Sequence, residues 1–444
     1  MDCNILNGKI VVIMGLGVFG GGVDTAKFAA RFAKKVIVTD KGDEKKLSSS
    51  IKELEQFKNI EFHIGGHKIE DFTDSDVIIV NPAVDENNEY IRAAVKNGKT
   101  ITSQMEIFFQ LCPAKIVAIT GSNGKSTTTA LTAHLLKNYK NGNIWLSGNI
   151  GYHPLLETLD QIKPNDIVVL EISSFQLEQL ARIKKSPNVG CITNIAPNHL
   201  DRHKTMENYC AAKENILRFQ IKGDAAVLNA YDENCLQWYE KYKKTDHKCF
   251  LFDREKIDSS LTSVFKLPGK ANRENLAAAL TIAHYFGLKD SELVDSVASF
   301  TSLPHRLQLV GTVNGTRYYN DSIATTPEST VVGVEAFTEP KILIAGGYDK
   351  GLPFEAMAKA ISGKLKALIL IGVTADKIEK CIRDTGTVPP IYRAKSLQEA
   401  VDKAHEISTP GDVVLMSPAC ASYDMFLNFV QRGNMFAEMV QKLK

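Results

Sequence analysis

The stretch KIVAITGSNGKSTTTALTAHLL, residues 115–136, decides how the rest of the chain is read. An apolar, β-branched run passes into GSNG and then into a helical pattern, the succession that a parallel sheet with crossover helices requires. Gly121 and Gly124 permit a tight turn around phosphate, Lys125 reaches toward the β- and γ-phosphates of a nucleotide, and Ser126 is placed to ligate Mg2+. The long phosphate-loop pattern would also need glycine at position 119, where this chain has Ile119. Farther on, DIVVLEISSFQLEQL (residues 166–180) sets Glu171 at the carboxyl end of a second apolar strand. Phosphoryl transfer needs a carboxylate facing Mg2+ at such a place. Loop and acid, in consecutive units of one sheet, read as an ATP site.

Strand, polar loop and helix recur on both sides of this stretch. KIVVIMGLGVFGGGV, KKVIVTD and DVIIVNPAV precede it; NIWLSGN, NVGCITNI and DAAVLNA follow within the same unit. TRYYNDS, KILIAGG, KALILIG and DVVLMSPA form a third set. The fold class expected is therefore α/β, with three domains, each built on a mainly parallel, doubly wound sheet. At 444 residues the chain is too long for one ordinary core. Breaks near Ser103 and at Leu303–Pro304 give domains at 1–103, 104–302 and 303–444. Ligands of such sheets bind beyond the carboxyl ends of the strands, which is where the unusual residues of this chain collect.

A formal net charge of +2 leaves no electrostatic footprint for nucleic acid or an anionic membrane. No apolar run approaches the length of a membrane span, and MDCNILNGKIVVIM lacks the pattern of a signal peptide. The eight cysteines are scattered without metal-ligand spacing, as expected of reduced thiols in a cytoplasmic protein. GLGVFG, residues 15–20, matches G-x-G-x-x-G after a strand, and Asp40 ends the next strand where a ribose-binding acid belongs. Taken alone this loop fits an NAD(P)-dependent redox enzyme, but any nucleotide diphosphate, a UDP-sugar included, meets the same physics. His199, Asp201 and His203 leave zinc ligation and a structural role both open; Pro197 and Asn198 beside them favour a loop.

GSNGKST, EISSFQLE, NIAPNHLDRH, YCAAKENIL, LPGKANRENLAAAL, LPHRLQ, NDSIATTPEST, GGYDKG and SPACASYDMFLNFVQRGNMF stand in the order found in Mur ligases, which this chain resembles over nearly its whole length. EISSFQLE and SPACASYDMFLNF are most similar to members that add D-glutamate. The resemblance implies Rossmann-like N- and C-terminal domains around a central P-loop ATPase-like domain. It implies an ADP-forming ligase that adds D-glutamate to UDP-N-acetylmuramoyl-L-alanine through an acyl phosphate, in peptidoglycan precursor synthesis. The shorter loop form G-x-x-G-K-[ST] belongs to the family, which accounts for Ile119.

By the same resemblance Gly121, Ser122, Asn123, Gly124, Lys125, Ser126 and Thr127 hold the ATP phosphates. Asn272, Asn275, Arg306 and Asp321 also serve ATP. Two Mg2+ ions fall to Ser126, Glu171, His199 and Lys213, the last as a carbamate. Val18, Phe19, Asp40, Asn81, Asn149 and His199 line the UDP-sugar site, with Ala83 beside Asn81. Thr325, Lys350, Ser422, Tyr423 and Phe429 form the amino-acid pocket. A monomer with small-molecule substrates is expected. Two departures stand out: Ile323 replaces a pocket lysine of other members, and Gly42 replaces an arginine near the uracil loop. Ile323 leaves L-glutamate or another acidic amino acid as the alternative substrate.

Overall fold

Strands covered by helices on both faces are near-continuous apolar runs, and the central strands here are, apart from Glu171 at the end of one. In the computed structural model, which describes residues 3–18, 20–85, 87–151 and 153–443, Val77–Val80, Ile167–Glu171 and Val413–Met416 are buried at every position. The first sheet contains β1 (Ile10–Met14), β2 (Lys35–Asp40), β3 (Ile60–Ile64), β4 (Val77–Val80) and β5 (Thr100–Thr102), in the order β3-β2-β1-β4-β5. All its pairings are parallel. The chain reverses its direction of travel between β1 and β4, so the crevice for a ligand opens beyond Met14 and Val80.

The second sheet is also parallel: β6 (Lys115–Thr120), β7 (Ile144–Gly148), β8 (Ile167–Glu171), β9 (Val189–Ile192), β10 (Ala225–Asn229) and β11 (Lys248–Phe252), ordered β11-β10-β9-β6-β8-β7. The third takes the order β12-β13-β17-β14-β15-β16, from β12 (Gln308–Val313), β13 (Thr316–Asn320), β14 (Lys341–Ala345), β15 (Ala367–Leu370), β16 (Ile391–Arg393) and β17 (Val413–Met416). Only β12 is antiparallel there, pairing with β13 across a bulge at Leu309/Gly311.

The chain forms two compact units. One comprises residues up to Lys256 with Asn275–Leu293, and holds the first two sheets; the other comprises Ile257–Glu274 with the residues from Val294 onward. Within the first unit, buried polar groups tie the sheets together. Asp24, on the helix Gly21–Ala30, accepts hydrogen bonds from the Leu156 and Glu157 N–H groups, both at 2.9 Å, and from the Gln104 amide. Glu106, 1% exposed, takes a two-bond fork from Arg182 at 2.7 and 3.1 Å. Ser103 caps the helix Gln104–Leu111 that carries Gln104 and Glu106.

Candidate active site

The pairing of β6 explains its loop. Ile119 sits inside the strand, opposite Glu171 on one side and Cys191 on the other, and is fully buried. The loop proper therefore begins at Gly121, and no glycine is required at 119. Gly121 has φ 144°, and a Cβ there would fall 1.9 Å from Thr193 Oγ1. Gly124, at φ 81°, precedes the helix Lys125–Leu136; its Cβ would meet Asn275 Oδ1 at 2.5 Å. Both positions exclude side chains, leaving backbone N–H groups at a helix N-terminus open to phosphate. Ser122 Oγ donates to Ala196 O and accepts the Ala196 N–H, each at 2.8 Å, while the Asn123 N–H donates to Asn194 Oδ1. Lys125 Nζ folds back on Gly121 O (3.0 Å) and Ser122 O (2.9 Å). Thr127 is buried and Ser126 half-buried at the start of the helix. Asn275 accepts a 3.0 Å bond from Thr128 Oγ1.

Two groups beside this loop are out of the ordinary. Glu171, 6% exposed at the end of β8, has a buried Oε2 without a hydrogen-bond partner. Lys213 is 2% exposed, where the sequence pattern favours a solvated helix face. Thr205 caps its helix, Met206–Arg218, and the i, i+4 spacing puts Tyr209 and Lys213 on one side, with Nζ 4.8 Å from the Tyr209 ring centroid. Nζ donates to Gly121 O at 2.9 Å and Thr120 Oγ1 at 3.2 Å. Burial, reinforced by the charge of Lys125, depresses the amine well below the usual lysine range. A neutral amine is the form that reacts with CO2.

His199 lies at the start of a one-turn helix, Leu200–His203, in left-handed backbone with φ 54°. That helix occupies the segment Pro197 and Asn198 marked as loop. His199 and His203 both face Phe175, at ring distances of 5.2 Å. His203 Nε2 lies 2.9 Å from Ser174 Oγ and Nδ1 3.3 Å from Glu178, so its nitrogens are engaged within the fold. Burial, with Lys125 and Lys213 nearby, lowers the His199 pKa and keeps the ring neutral. Among the described residues no cluster of three or more His, Cys, Asp or Glu is arranged to hold a metal. The donors at hand, the Glu171 orphan oxygen and the Ser126 hydroxyl, suit a hard cation that keeps water or phosphate oxygens in its shell.

At the first sheet, Asp40 proves to organise the glycine loop. Its Oδ2 accepts the Leu16 and Gly17 N–H groups at 2.8 and 3.0 Å, and its Oδ1 the Gly42 N–H at 2.7 Å. A side chain at Gly42 would bring its Cβ to 3.1 Å of Asp40 Oδ1. Val18 is exposed, and Phe19 lies outside the described residues. Asn81 opens the turn after β4, where Ala83 donates to its Oδ1 at 3.0 Å. Asn149 follows β7, its N–H bonded to Glu171 O at 3.0 Å, so this residue stands next to the strand-end acid.

In the second unit, Asn272 is buried and bonds Pro268 O at 2.7 Å. Arg306 Nε is buried without a partner, and Asp321 accepts the Leu307 N–H and the Ser417 hydroxyl. Burial pushes the Asp321 carboxyl up to about 6. Lys350 Nζ reaches Thr325 O and Oγ1, each at 3.4 Å; burial lowers its pKa, and Arg432 adds to that. Ser422 is buried, Tyr423 is 66% exposed, and Phe429 is half-buried with its ring 6.0 Å from that of His305. Tyr423 is thus not core packing. Ile323 is half-buried in the loop that carries Thr325.

Sequence reasoning left out Arg432. It is 1% exposed, and its guanidinium bonds Ser322 Oγ and O, Cys420 O and Ala421 O. All those acceptors are neutral, so a buried positive charge knits together the loops that carry Thr325 and Ser422. The cation in VQRGNMF was the available signal, but an arginine on a helix ordinarily faces water. Left-handed backbone at non-glycine residues, a conformation that costs strain, includes His199, His305, Leu307 and Ala419.

Residues 9–103 match the Mur ligase MurD-like N-terminal domain, 119–266 the Mur ligase middle domain, and 305–420 the Mur ligase glutamate ligase domain. The UDP-N-acetylmuramoylalanine–D-glutamate ligase of Acetivibrio thermocellus is 40% identical, covering 99% of this chain and 97% of that protein. Its counterpart from Clostridium kluyveri is 39% identical over 96% of each. Among solved structures, the UDP-N-acetylmuramate–alanine ligase MurC of Thermotoga maritima shares the fold at a TM-score of 0.60 and 21% identity, with 98% of this chain and 99% of that chain covered. MurF of the same organism, solved with ADP, gives 0.58 at 16% identity over 99% and 95%.

Proposed function

The chain belongs to the Mur ligase family, and from that premise we propose how its residues carry out the family's reaction. The enzyme is an ATP-dependent ligase that joins D-glutamate to UDP-N-acetylmuramoyl-L-alanine in peptidoglycan precursor synthesis. A free carboxylate is a poor acyl donor. Its oxygen attacks the γ-phosphorus of ATP, giving an acyl phosphate and ADP. The amine of D-glutamate then adds to the carbonyl carbon, loses a proton, and the tetrahedral intermediate expels orthophosphate to leave the amide.

The protein's task is to hold two anions together and keep water away. The loop from Gly121 to Thr127 binds the phosphates, with Lys125 released from its carbonyl partners to pair with them. Glu171, Ser126, His199 and a carbamate on Lys213 would hold two Mg2+ ions, whose charge offsets the repulsion between γ-phosphate and carboxylate. The buried, unpartnered Glu171 oxygen beside the phosphate loop is the observation that carries this assignment. A lysine carbamate would replace a buried amine by an oxygen ligand, and the burial that lowers the Lys213 pKa favours the neutral amine that reaction needs. Val18, Phe19, Asn81 and Asn149 serve the UDP-sugar, with Asp40 shaping its loop. Asn272, Asn275, Arg306 and Asp321 serve ATP. Thr325, Lys350, Ser422, Tyr423 and Phe429 receive the amino acid.

We assign residues 1–103 to UDP-sugar binding, 104–302 to ATP binding, and 303–444 to completing the ATP and amino-acid sites. No helix among the described residues is long and apolar enough to cross a membrane; we take the enzyme to work as a cytoplasmic monomer. The test is isotopic. With 18O in the alanyl carboxylate, one labelled oxygen must appear in the orthophosphate released. Unlabelled orthophosphate would rule out the acyl phosphate.

A further inference from the structure

Arg202 stands outside the residues assigned above. It belongs to the one-turn helix after His199, and its guanidinium engages two parts of the first unit at once. Nη1 donates to Pro82 O at 2.7 Å and Nη2 to Val84 O at 3.1 Å. The same group lies over the Phe175 ring, 4.2 Å from its centroid. Pro82 and Val84 form the turn that ends β4, in which the Val84 N–H bonds Asn81 O at 2.9 Å. Gly15, the first glycine of GLGVFG, packs so tightly on this turn that a Cβ there would fall 2.9 Å from Asn81 Cβ.

Phe175 also leads to the phosphate loop. Phe175 stacks on His203, the His203 ring meets that of Tyr209 at 5.3 Å, and the Tyr209 hydroxyl lies 3.0 Å from Ser122 Oγ. One unbroken set of contacts thus runs from the first glycine loop to the second, and Arg202 is its link between sheets.

We propose that Arg202 is a positioning residue, fixing the sugar-nucleotide turn against the phosphate loop and so setting where the substrate carboxylate meets the γ-phosphate. This rests on the placement of the UDP-sugar at residues 15–20 and 81–84. A planar guanidinium bridges two carbonyls while lying flat on a ring; an ammonium does not. Misplacement by about 1 Å costs on the order of a hundredfold in rate.

The experiment compares wild type, Arg202→Lys and Arg202→Ala in steady-state kinetics with UDP-N-acetylmuramoyl-L-alanine, ATP and D-glutamate. Calorimetry gives the affinity for each nucleotide alone, and thermal unfolding reports on folding. Both variants should weaken binding of the UDP substrate about tenfold and lower kcat at least tenfold, with ATP affinity kept within about twofold. Lysine conserves the charge and the fold, so it decides the matter if alanine unfolds the protein. Wild-type kinetics and UDP-substrate affinity in Arg202→Lys, or an equal loss of ATP affinity, would overturn the proposal. A wild type without turnover would instead overturn the ligase reading; calorimetric affinity for the UDP substrate would still judge Arg202.

Discussion

Lys213 and Asp321 show how burial turns an ordinary side chain into a chemical device. Desolvation, with the Lys125 charge, pushes the Lys213 amine well below the usual lysine range and so toward its neutral form, and Nζ points at the phosphate loop. Lys213→Ala should lose turnover almost completely, with partial recovery on adding short-chain carboxylates that fill the space of a carbamate; near-wild-type activity would remove the carbamate from the mechanism. Asp321 titrates near 6 in the folded chain, against about 3.9 when exposed. The fold therefore favours the neutral acid. That contribution is whole below pH 4 and is lost as pH rises through 6, on the order of 2–3 kcal/mol. Denaturant titrations at pH 4 and pH 7.5 should show Asp321→Asn lacking this loss relative to wild type. An identical pH dependence in both proteins would contradict the assignment.

At the scale of elements, the phosphate loop is a shape that glycine alone permits. Gly124→Ala must place a Cβ where Asn275 sits and hold left-handed backbone, costing about 1–3 kcal/mol. Calorimetry should find ATP affinity lowered more than tenfold and UDP-substrate binding retained. The central strands, this loop and Glu171 were legible in the sequence because strands covered on both faces are continuous apolar runs. The strands that escaped notice were β3, β5, β11, β12 and β16, all at or forming sheet edges. Their residues are mostly half-buried or exposed, in patterns such as ieiii in Ile60–Ile64, which blur the hydrophobic signal. The one-turn helix after His199 escaped because the break at Pro197 and Asn198 masks so short a segment. The burial of Lys213 and Arg432 depends on what folds over them, and no local pattern records that.

For the molecule as a whole, polar bonds across the first unit join two sheets into one body. Asp24→Ala would leave the Leu156 and Glu157 N–H groups without their acceptor, costing about 2–3 kcal/mol. Denaturant unfolding should then show the transition of this unit moved to lower concentration; an unmoved midpoint would deny Asp24 that role. In the second unit burial, with the charge of Arg432, lowers the Lys350 pKa; on the proposal that Lys350 receives the amino acid, its cation would favour an acidic one even with Ile323 in place of lysine. The most direct measurement is orthophosphate release from ATP with UDP-N-acetylmuramoyl-L-alanine, offering D-glutamate and L-glutamate in separate reactions and weighing each product. A D-glutamate ligase releases phosphate and gains the mass of one glutamyl residue with the D isomer alone. Turnover with L-glutamate alone, or with neither, would contradict it.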